Sequence, residues 1–418
     1  MWLNWLGFEV VEKSINPDFM VKCKSAFVRG MKLKISELGK VITGNTPSKK
    51  IKEFWDKDDV GFVKPDIISD EHIVKIKSED CNEFISNAAI SKARIVPKNS
   101  IFVTCIGNIG KIGVATENLA FNQQINAIIP NENVNLDYLC YAIFANKTRL
   151  QDIANAPIVP LLNKSQFSEF ELEFDMDINT QTRIVHELNT VSNIILKYKQ
   201  ELLLLDELVR ARFVEMFGTL HDNENRFNIV TIEEVCSIIK DGTHQTPHYT
   251  EDKINGYKFL SSKDVMSQKI DWKNIKYIPK DLHEKLYASI QPQRNDILMS
   301  KNGVNYGVAA VNDTDEVFDI YVSLALLRPK QLIDPVFFRC VINSIETKRQ
   351  FDMSIKGIGV PNLHLGEIKK TKIILPPMVL QKQFVTFVKQ IDKSRSRIQK
   401  SLEASRELFD CLMQEYFG

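Results

Sequence analysis

The sequence predicts an α+β protein: two tandem α/β domains separated by two long helices that form an antiparallel coiled coil, with an internal pseudo-two-fold repeat. Three observations predict it. The chain matches itself, in order, at an offset of about 200 residues. Two Gly/Pro-free stretches carry heptad spacing. The segments between them mix strand and helix patterns, broken by Pro and Gly.

The repeat comes first, because it sets the architecture. Glu215-Met216-Phe217-Gly218 faces Glu415-Tyr416-Phe417-Gly418 at an offset of 200. Thr46-Pro47 faces Thr246-Pro247 at the same offset. Lys98-Asn99-Ser100-Ile101 faces Arg294-Asn295-Asp296-Ile297, and Gly107 faces Gly303. Val159-Pro160-Leu161-Leu162-Asn163 faces Val360-Pro361-Asn362-Leu363-His364. The matches keep their order while offsets drift by a few residues, as insertions in surface loops would cause. Each copy is therefore a mixed segment followed by a long helix.

Residues 178–217 hold apolar side chains at Ile184, Leu188, Val191, Ile195, Tyr198, Leu202, Leu205, Val209, Phe213 and Met216. Spacings of four and three are the a/d rhythm of a coiled coil. Adding 200 gives Phe384, Val388, Ile391, Arg395, Ile398, Leu402, Ser405, Phe409, Met413 and Tyr416. The register carries over, with Arg395 and Ser405 interrupting the seam in positions suited to fixing orientation. The expected seam residues are Leu188, Val191, Ile195, Leu202, Leu205, Val388, Ile391, Ile398, Leu402 and Phe409. Such a seam looks too narrow for a globular core, so the helices are expected to pair with each other.

The expected organisation is an N-terminal extension at 1–30, a first domain at 31–177, a helix at 178–220, a second domain at 221–377 and a helix at 378–418. Residues 221–225 form a short polar linker. Residues 1–30 open with Met1-Trp-Leu-Asn-Trp-Leu-Gly-Phe8. No basic region precedes this run, and Glu9 and Glu12 follow it, so it does not read as a secretory signal. A packed helix, a partner-binding extension and a leader stay open for it. Within the domains, 94–97 and 100–106 read as strands, and Gly107 to Gly113 as a tight turn. Leu136 to Ile153 and Pro335 to Phe351 read as helices.

Composition bounds the function. The chain has 418 residues, with Lys+Arg 54 against Asp+Glu 53, for a net charge of +1. No global basic field exists, so any nucleic-acid contact must come from local patches. It is 44% hydrophobic and 26% charged, the balance of an ordinary globular protein. Seven scattered cysteines form no Cys-x-x-Cys pair. An odd number cannot all pair within the chain, which reads as reduced thiols in a cytoplasmic protein. No apolar run approaches the ~18–20 residues of a membrane span, so no membrane partner is expected.

Catalytic motifs fail. Gly110-Lys111 has Cys105 where a Walker A loop needs Gly, and Ile112 where it needs Ser or Thr. No Gly-x-Gly-x-x-Gly and no Asn-Pro-Pro-Tyr-type tetrapeptide occurs. Glu367-Ile-Lys369 has a nuclease-like spacing that arises easily by chance. His244 and His248 have metal-ligand spacing, yet no third ligand is evident. No catalytic residue and no metal site are expected.

What remains is a pair of polar loops. Gly44-Asn-Thr-Pro-Ser-Lys-Lys-Ile-Lys-Glu-Phe-Trp55 and Asp241-Gly-Thr-His-Gln-Thr-Pro-His-Tyr249 carry residue types that contact phosphates and base edges. By composition alone the favoured reading is a pair of solvated loops.

With repeat, helices and loops in view, residues 31–418 resemble the specificity subunit of type I DNA restriction-modification enzymes. The 241–249 loop is similar to one common near the start of that family's target-recognition domains, and Gly44 to Ser48 resembles its shorter form. Asn122-Gln123 before an apolar strand is another recurring element. Leu375-Pro-Pro-Met-Val-Leu-Gln-Lys-Gln383 resembles the family's Leu-Pro-Pro-Leu-x-Glu-Gln lead into the conserved helix. Copy one departs here, with Phe174-Asp-Met-Asp-Ile-Asn-Thr-Gln181, and the usual Glu is Thr180 in one copy and Leu380 in the other.

The resemblance implies a non-catalytic subunit in which each target-recognition domain reads one half of a gapped, bipartite target in double-stranded DNA. The helices would set the spacer and dock two modification (methyltransferase) subunits. Restriction (motor-nuclease) subunits complete the complex. No cofactor is expected in this chain; S-adenosylmethionine, ATP and Mg belong to the partners. DNA contacts are expected from Asn45, Thr46, Lys49, Lys50, Lys52, Asn108 and Lys111 in copy one. In copy two they are expected from Thr243, His244, Gln245, Tyr249, Lys301 and Asn302. A structural adaptor that ignores DNA, or a nuclease built around Glu367, would be the alternatives.

Overall fold

The computed structural model describes residues 30–154, 160–223, 227–355 and 361–418. The extension expected at 1–30 lies outside the described residues except for Gly30, as do Val159 and Val360 of the repeat and the end of the linker. The chain divides into two compact units, one of residues 1–198 with 401–418 and one of residues 199–400.

In unit 1 the central sheet holds β1 (Gly39–Thr43), β2 (Val74–Ile76), β3 (Ile101–Thr104), β4 (Ile112–Ala115) and β5 (Ile125–Pro130), in the order β1-β5-β3-β4-β2. Ala127 stands opposite Ile42 on one side and Phe102 on the other. Strands β3 and β4 are buried throughout, so they read as unbroken apolar runs rather than alternating ones. A second sheet carries the parallel pair Val60–Val63 and Leu119–Phe121. Met31–Lys34 pairs antiparallel with Glu171–Phe174, joining the two ends of the domain.

Unit 2 repeats this plan with β6 (Cys236–Asp241), β7 (Ile297–Ser300), β8 (Ala309–Val311) and β9 (Leu324–Pro329), in the order β6-β9-β7-β8. Tyr257–Leu260 and Phe318–Ile320 again run parallel, and Asn228–Thr231 again pairs antiparallel with Lys372–Leu375. Even the backbone exception repeats. Asn99 has φ +66° and Asn295 φ +73°, the left-handed conformation that Asn tolerates best after Gly.

The helices labelled here are α1 (Leu136–Ala145), α2 (Ile178–Phe217), α3 (Pro335–Ile342) and α4 (Met378–Phe417). Both long helices cover the residues that the heptad spacing predicts. The two shorter predicted helices break. In the first, Asn146 interrupts the run, its amide donating to the Ala142 carbonyl, and a separate helix covers Lys147–Ile153. In the second, Asn343 turns away to bond both backbone groups of Ala309, and Ser344 caps Ile345–Ser354.

Each unit takes one part of each long helix, and within each unit the parts run antiparallel. In unit 1 Tyr416 donates its hydroxyl to Glu187 at 2.5 Å. In unit 2 Arg395, which interrupts the seam, pairs with Asp206 at 2.6 Å. Leu188, Val191, Val388, Ile391 and Leu402 are buried, while Ile195, Leu202, Leu205, Ile398 and Phe409 are half-buried.

The narrow-seam expectation fails at the helix ends. Ile184, Leu188 and Val191 with Leu412, Met413 and Tyr416 complete the core that Tyr138, Leu139 and Ile143 of α1 begin. Phe217, Phe384 and Val388 do the same with Phe337, Phe338 and Val341 of α3. Each such side chain contributes ~1.5–3 kcal/mol of transfer free energy.

Candidate nucleic-acid interface

In unit 1 the β1 strand runs directly into the 44–48 loop. The Gly44 amide donates to Ile125 O and the Asn45 amide to Phe121 O, both at 3.0 Å. A Cβ on Gly44 would stand 2.0 Å from Asn122 O and 2.5 Å from Phe121 O, so only glycine fits. The Thr46 hydroxyl then donates to Gln123 Oε1 at 2.6 Å. The turn after β3 joins the same corner. Cys105 N donates to Gln124 O at 2.8 Å, and Gly107, at φ +76°, donates to Pro160 O at 3.1 Å.

Unit 2 builds the same corner with the same bonds. Gly242 N donates to Leu324 O at 3.1 Å and Thr243 N to Ile320 O at 2.9 Å. A Cβ on Gly242 would stand 2.3 Å from both Ile320 O and Tyr321 O. Lys301 N donates to Ser323 O, and Gly303, at φ +85°, to Pro361 O, both at 3.0 Å. The polar loops far apart in each copy's sequence thus meet at one end of each central sheet.

Around the first corner, Lys50 and Lys52 are exposed. Lys49 lies 3.1 Å from Glu83 and 5.2 Å from the Trp55 ring centre, and Lys64 reaches the same carboxylate. Burial pulls the Glu83 carboxyl upward in pKa, but Lys64 and Lys49 together hold it below its ordinary value. Asn45 braces the loop: its amide donates to Lys92 O and its side-chain oxygen accepts from Arg94 N, each at 2.7 Å. Asn108 is exposed and bonds Asp70, whose carboxyl is held low chiefly by Lys147.

Around the second corner, His244 and Gln245 are exposed. The Thr243 hydroxyl accepts from Gln245 N at 3.1 Å, and His244 Nε2 stands 3.7 Å from Asp241. Tyr249 is half exposed, with the Lys276 ammonium 4.1 Å from its ring centre.

One expected contact needs correction. Lys301 is 5% exposed, and its ammonium sits 2.8 Å from Asp241 Oδ1. A buried, paired cation holds the loop and offers no charge to a phosphate. Lys111 is half-buried and donates to Pro65 O at 3.3 Å. Asn302 pairs its backbone with Asn362, and its side-chain oxygen has no hydrogen-bond partner within the protein. Conversely, Gly44, Gly242, Asp241 and Gln123 build the corners and were not expected as site residues. The offset pairing of Gly44 with Gly242, beside Thr46 and Thr246, was the available signal.

Among the described residues no group of His, Cys, Asp and Glu could hold a metal ion. Glu367 and Lys369 point to different partners, Lys370 at 3.6 Å and Glu233 at 3.0 Å. Among the described residues no helix is long and apolar enough to cross a membrane.

Comparison with known proteins bears on the family and the fold. A family model of the type I restriction modification DNA specificity domain matches residues 30–204 and again 224–405. The type I restriction enzyme MjaIX specificity subunit of Methanocaldococcus jannaschii is 25% identical over 399 residues, covering 91% of this chain and 90% of that protein. The type I restriction enzyme HindI specificity subunit of Haemophilus influenzae is 35% identical over 149 residues, 34% of this chain. The crystal structure of the type I restriction-modification system S subunit from M. genitalium shares the fold, with a TM-score of 0.57 at 14% identity over 94% of this chain and 98% of that one. With both of its halves matched by the same domain, the chain belongs to the type I restriction modification DNA specificity family.

Proposed function

We propose that this chain is the non-catalytic DNA-reading subunit of a type I restriction-modification complex. Each domain reads one half of a gapped target through its sheet-end corner, and the helices set the spacer and dock two methyltransferase subunits. The observation that supports this reading most is the repeated corner: the same backbone bonds present a polar loop at the same sheet end in both copies. The exposed Lys50 and Lys52 suit phosphate contact, and His244 and Gln245 suit base edges. S-adenosylmethionine, ATP and Mg would then sit on modification and restriction subunits, and the complex would work in the cytoplasm, where thiols stay reduced.

Replacing residues 31–177 with the matching segment of another family member tests the division of labour. Mapping methylated adenines should show one half-site changed and the other kept; a change in both overturns the assignment. Calorimetric titration of the isolated chain with S-adenosylmethionine should show no binding, and micromolar affinity would contradict the non-catalytic role. Four residues inserted at Glu201, about one helical turn, should lengthen the spacer and keep both half-sites. An unchanged spacer with full activity would remove the helices from that role.

A further inference from the structure

Within unit 2 the helix pair does not pack flush against α3. It leaves a pocket of about 460 Å³, within the ~300–1,000 Å³ range of small-molecule sites.

The repeat itself shows why the space exists. In unit 1, Tyr141 of α1 is buried, donates its hydroxyl to Asn189 Oδ1 at 2.7 Å and packs 6.1 Å from the Phe409 ring. The helix caps Asn135 and Asp334 correspond at an offset of 199, which places Cys340 where unit 1 has Tyr141. The long helices correspond at 200, which places Val209 where unit 1 has Phe409. Two aromatic side chains that fill the first copy are thus a thiol and an isopropyl group in the second, and both line the pocket.

The remaining lining is polarised. Phe213, Phe384 and Val388 form an apolar wall. Arg339 lines the pocket too, 8% exposed, and its Nε makes no hydrogen bond within the protein. Its nearest ion-pair partner is Asp392 at 3.7 Å, and Asp392 also faces Lys269 and Arg395, each at 3.8 Å. Arg395 finds a second carboxylate in Asp206 at 2.6 Å. Arg339 Nη1 donates to Gln268 O at 3.3 Å, but the carboxylate nearest to Arg339 and Lys269 is the one they share with Arg395, at long range. A buried guanidinium with an unpartnered Nε and only a long ion pair carries a desolvation cost that a ligand anion would offset.

We propose that this pocket binds a small amphipathic anion, a sulfonate or carboxylate on a planar apolar body. The acid lies by Arg339 and Lys269, and the body lies against Phe213 and Phe384. The site stands apart from the DNA-reading corners and does not depend on that reading. Because it joins the helix pair to α3, occupancy stabilises unit 2 by mass action.

The full chain is titrated with 8-anilinonaphthalene-1-sulfonate and, in parallel, with neutral N-phenyl-1-naphthylamine, well below the unfolding temperature. The sulfonate should give saturable fluorescence at one site per chain, and the neutral probe should bind more weakly. Restoring the packing of the first copy with Cys340→Tyr and Val209→Phe together should weaken the sulfonate by about tenfold or more, a loss of ~1.4 kcal/mol. Lys269→Ala, at a half-exposed position that leaves the fold intact, should weaken the sulfonate several-fold and spare the neutral probe. Equal affinity for both probes, no saturable site, or binding indifferent to Lys269→Ala overturns the proposal.

Discussion

The side-chain oxygen of Gln381 accepts a hydrogen bond from the backbone amide of Asp334 at 2.8 Å. Its amide donates to Pro376 O at 2.8 Å and Leu332 O at 3.2 Å. Gln181 makes the matching bonds in unit 1, accepting from Asn135 N at 2.8 Å and donating to Asp175 O at 2.6 Å. Both side chains are fully buried. Each ties the first turns of a long helix to the cap of a domain helix, so each sets how a domain meets its helix.

Gln381→Leu or Gln181→Leu should therefore lower stability on the order of 1–3 kcal/mol, because buried backbone partners lose their bonds. Urea unfolding measures this. A loss below a few tenths of a kcal/mol would show that water replaces the amide without cost.

Gly44→Ala should distort the first corner, since its Cβ would meet Asn122 O at 2.0 Å. Overpacking of this kind costs ~1–3 kcal/mol. In a complex, methylation should lose fidelity at one half-site only, and Gly242→Ala should do the same at the other. Methylation-site sequencing distinguishes the two, and identical profiles would contradict separate corners.

Lys50→Ala should weaken binding to every duplex and reduce the slope of log K against log salt by about 1, as a lost phosphate contact does. Lys49→Ala should act differently, because Lys49 is paired with Glu83. Removing it leaves a carboxylate held by Lys64 near the same surface. Affinity should fall at low salt by more than one contact is worth. Equal slopes for both variants would argue against the pairing.

Asp319 gives a pH signature. Burial raises its carboxyl above the usual 3.8, and His283, 2.7 Å away, opposes the shift. A raised acid binds more protons folded than unfolded. Its contribution is present below the unfolded value and is lost as pH rises through the folded one. Asp319→Asn should flatten that loss in a urea series from about pH 4 to 7. A parent and variant with the same pH slope would remove Asp319 as the cause.

The long helices were legible because their spacing is local and repeats, and because Pro376 and Pro377 mark one start. The loop corners were half legible. Residue types and the doubled Thr-Pro pointed to them, and His244 and Gln245 do stand exposed. Lys301 misled, because its partner Asp241 lies 60 residues away in sequence. Gly44 could be paired with Gly242 in sequence, but the reason for a glycine could not be read there, because the carbonyl that excludes a side chain belongs to Asn122. The breaks at Asn146 and Asn343 depend on side-chain bonds that periodicity does not carry. The pocket of unit 2 became visible only once Tyr141 and Cys340 could be placed on corresponding helices.

The discontinuous make-up of unit 1 has a consequence for synthesis. Leu412, Met413 and Tyr416 lie in the same core as Ile35, Ile101 and Tyr138. Unit 2, in contrast, is one unbroken stretch. The half of the protein translated first therefore cannot close its interior until the last turns of α4 leave the ribosome, while the half translated second is already complete. Closure of unit 1 spans the whole of residues 199–400, a long loop whose entropy slows folding more than it weakens the product. Loss of the final helical turns would then be felt at the opposite end of the sequence, in the domain that was made first.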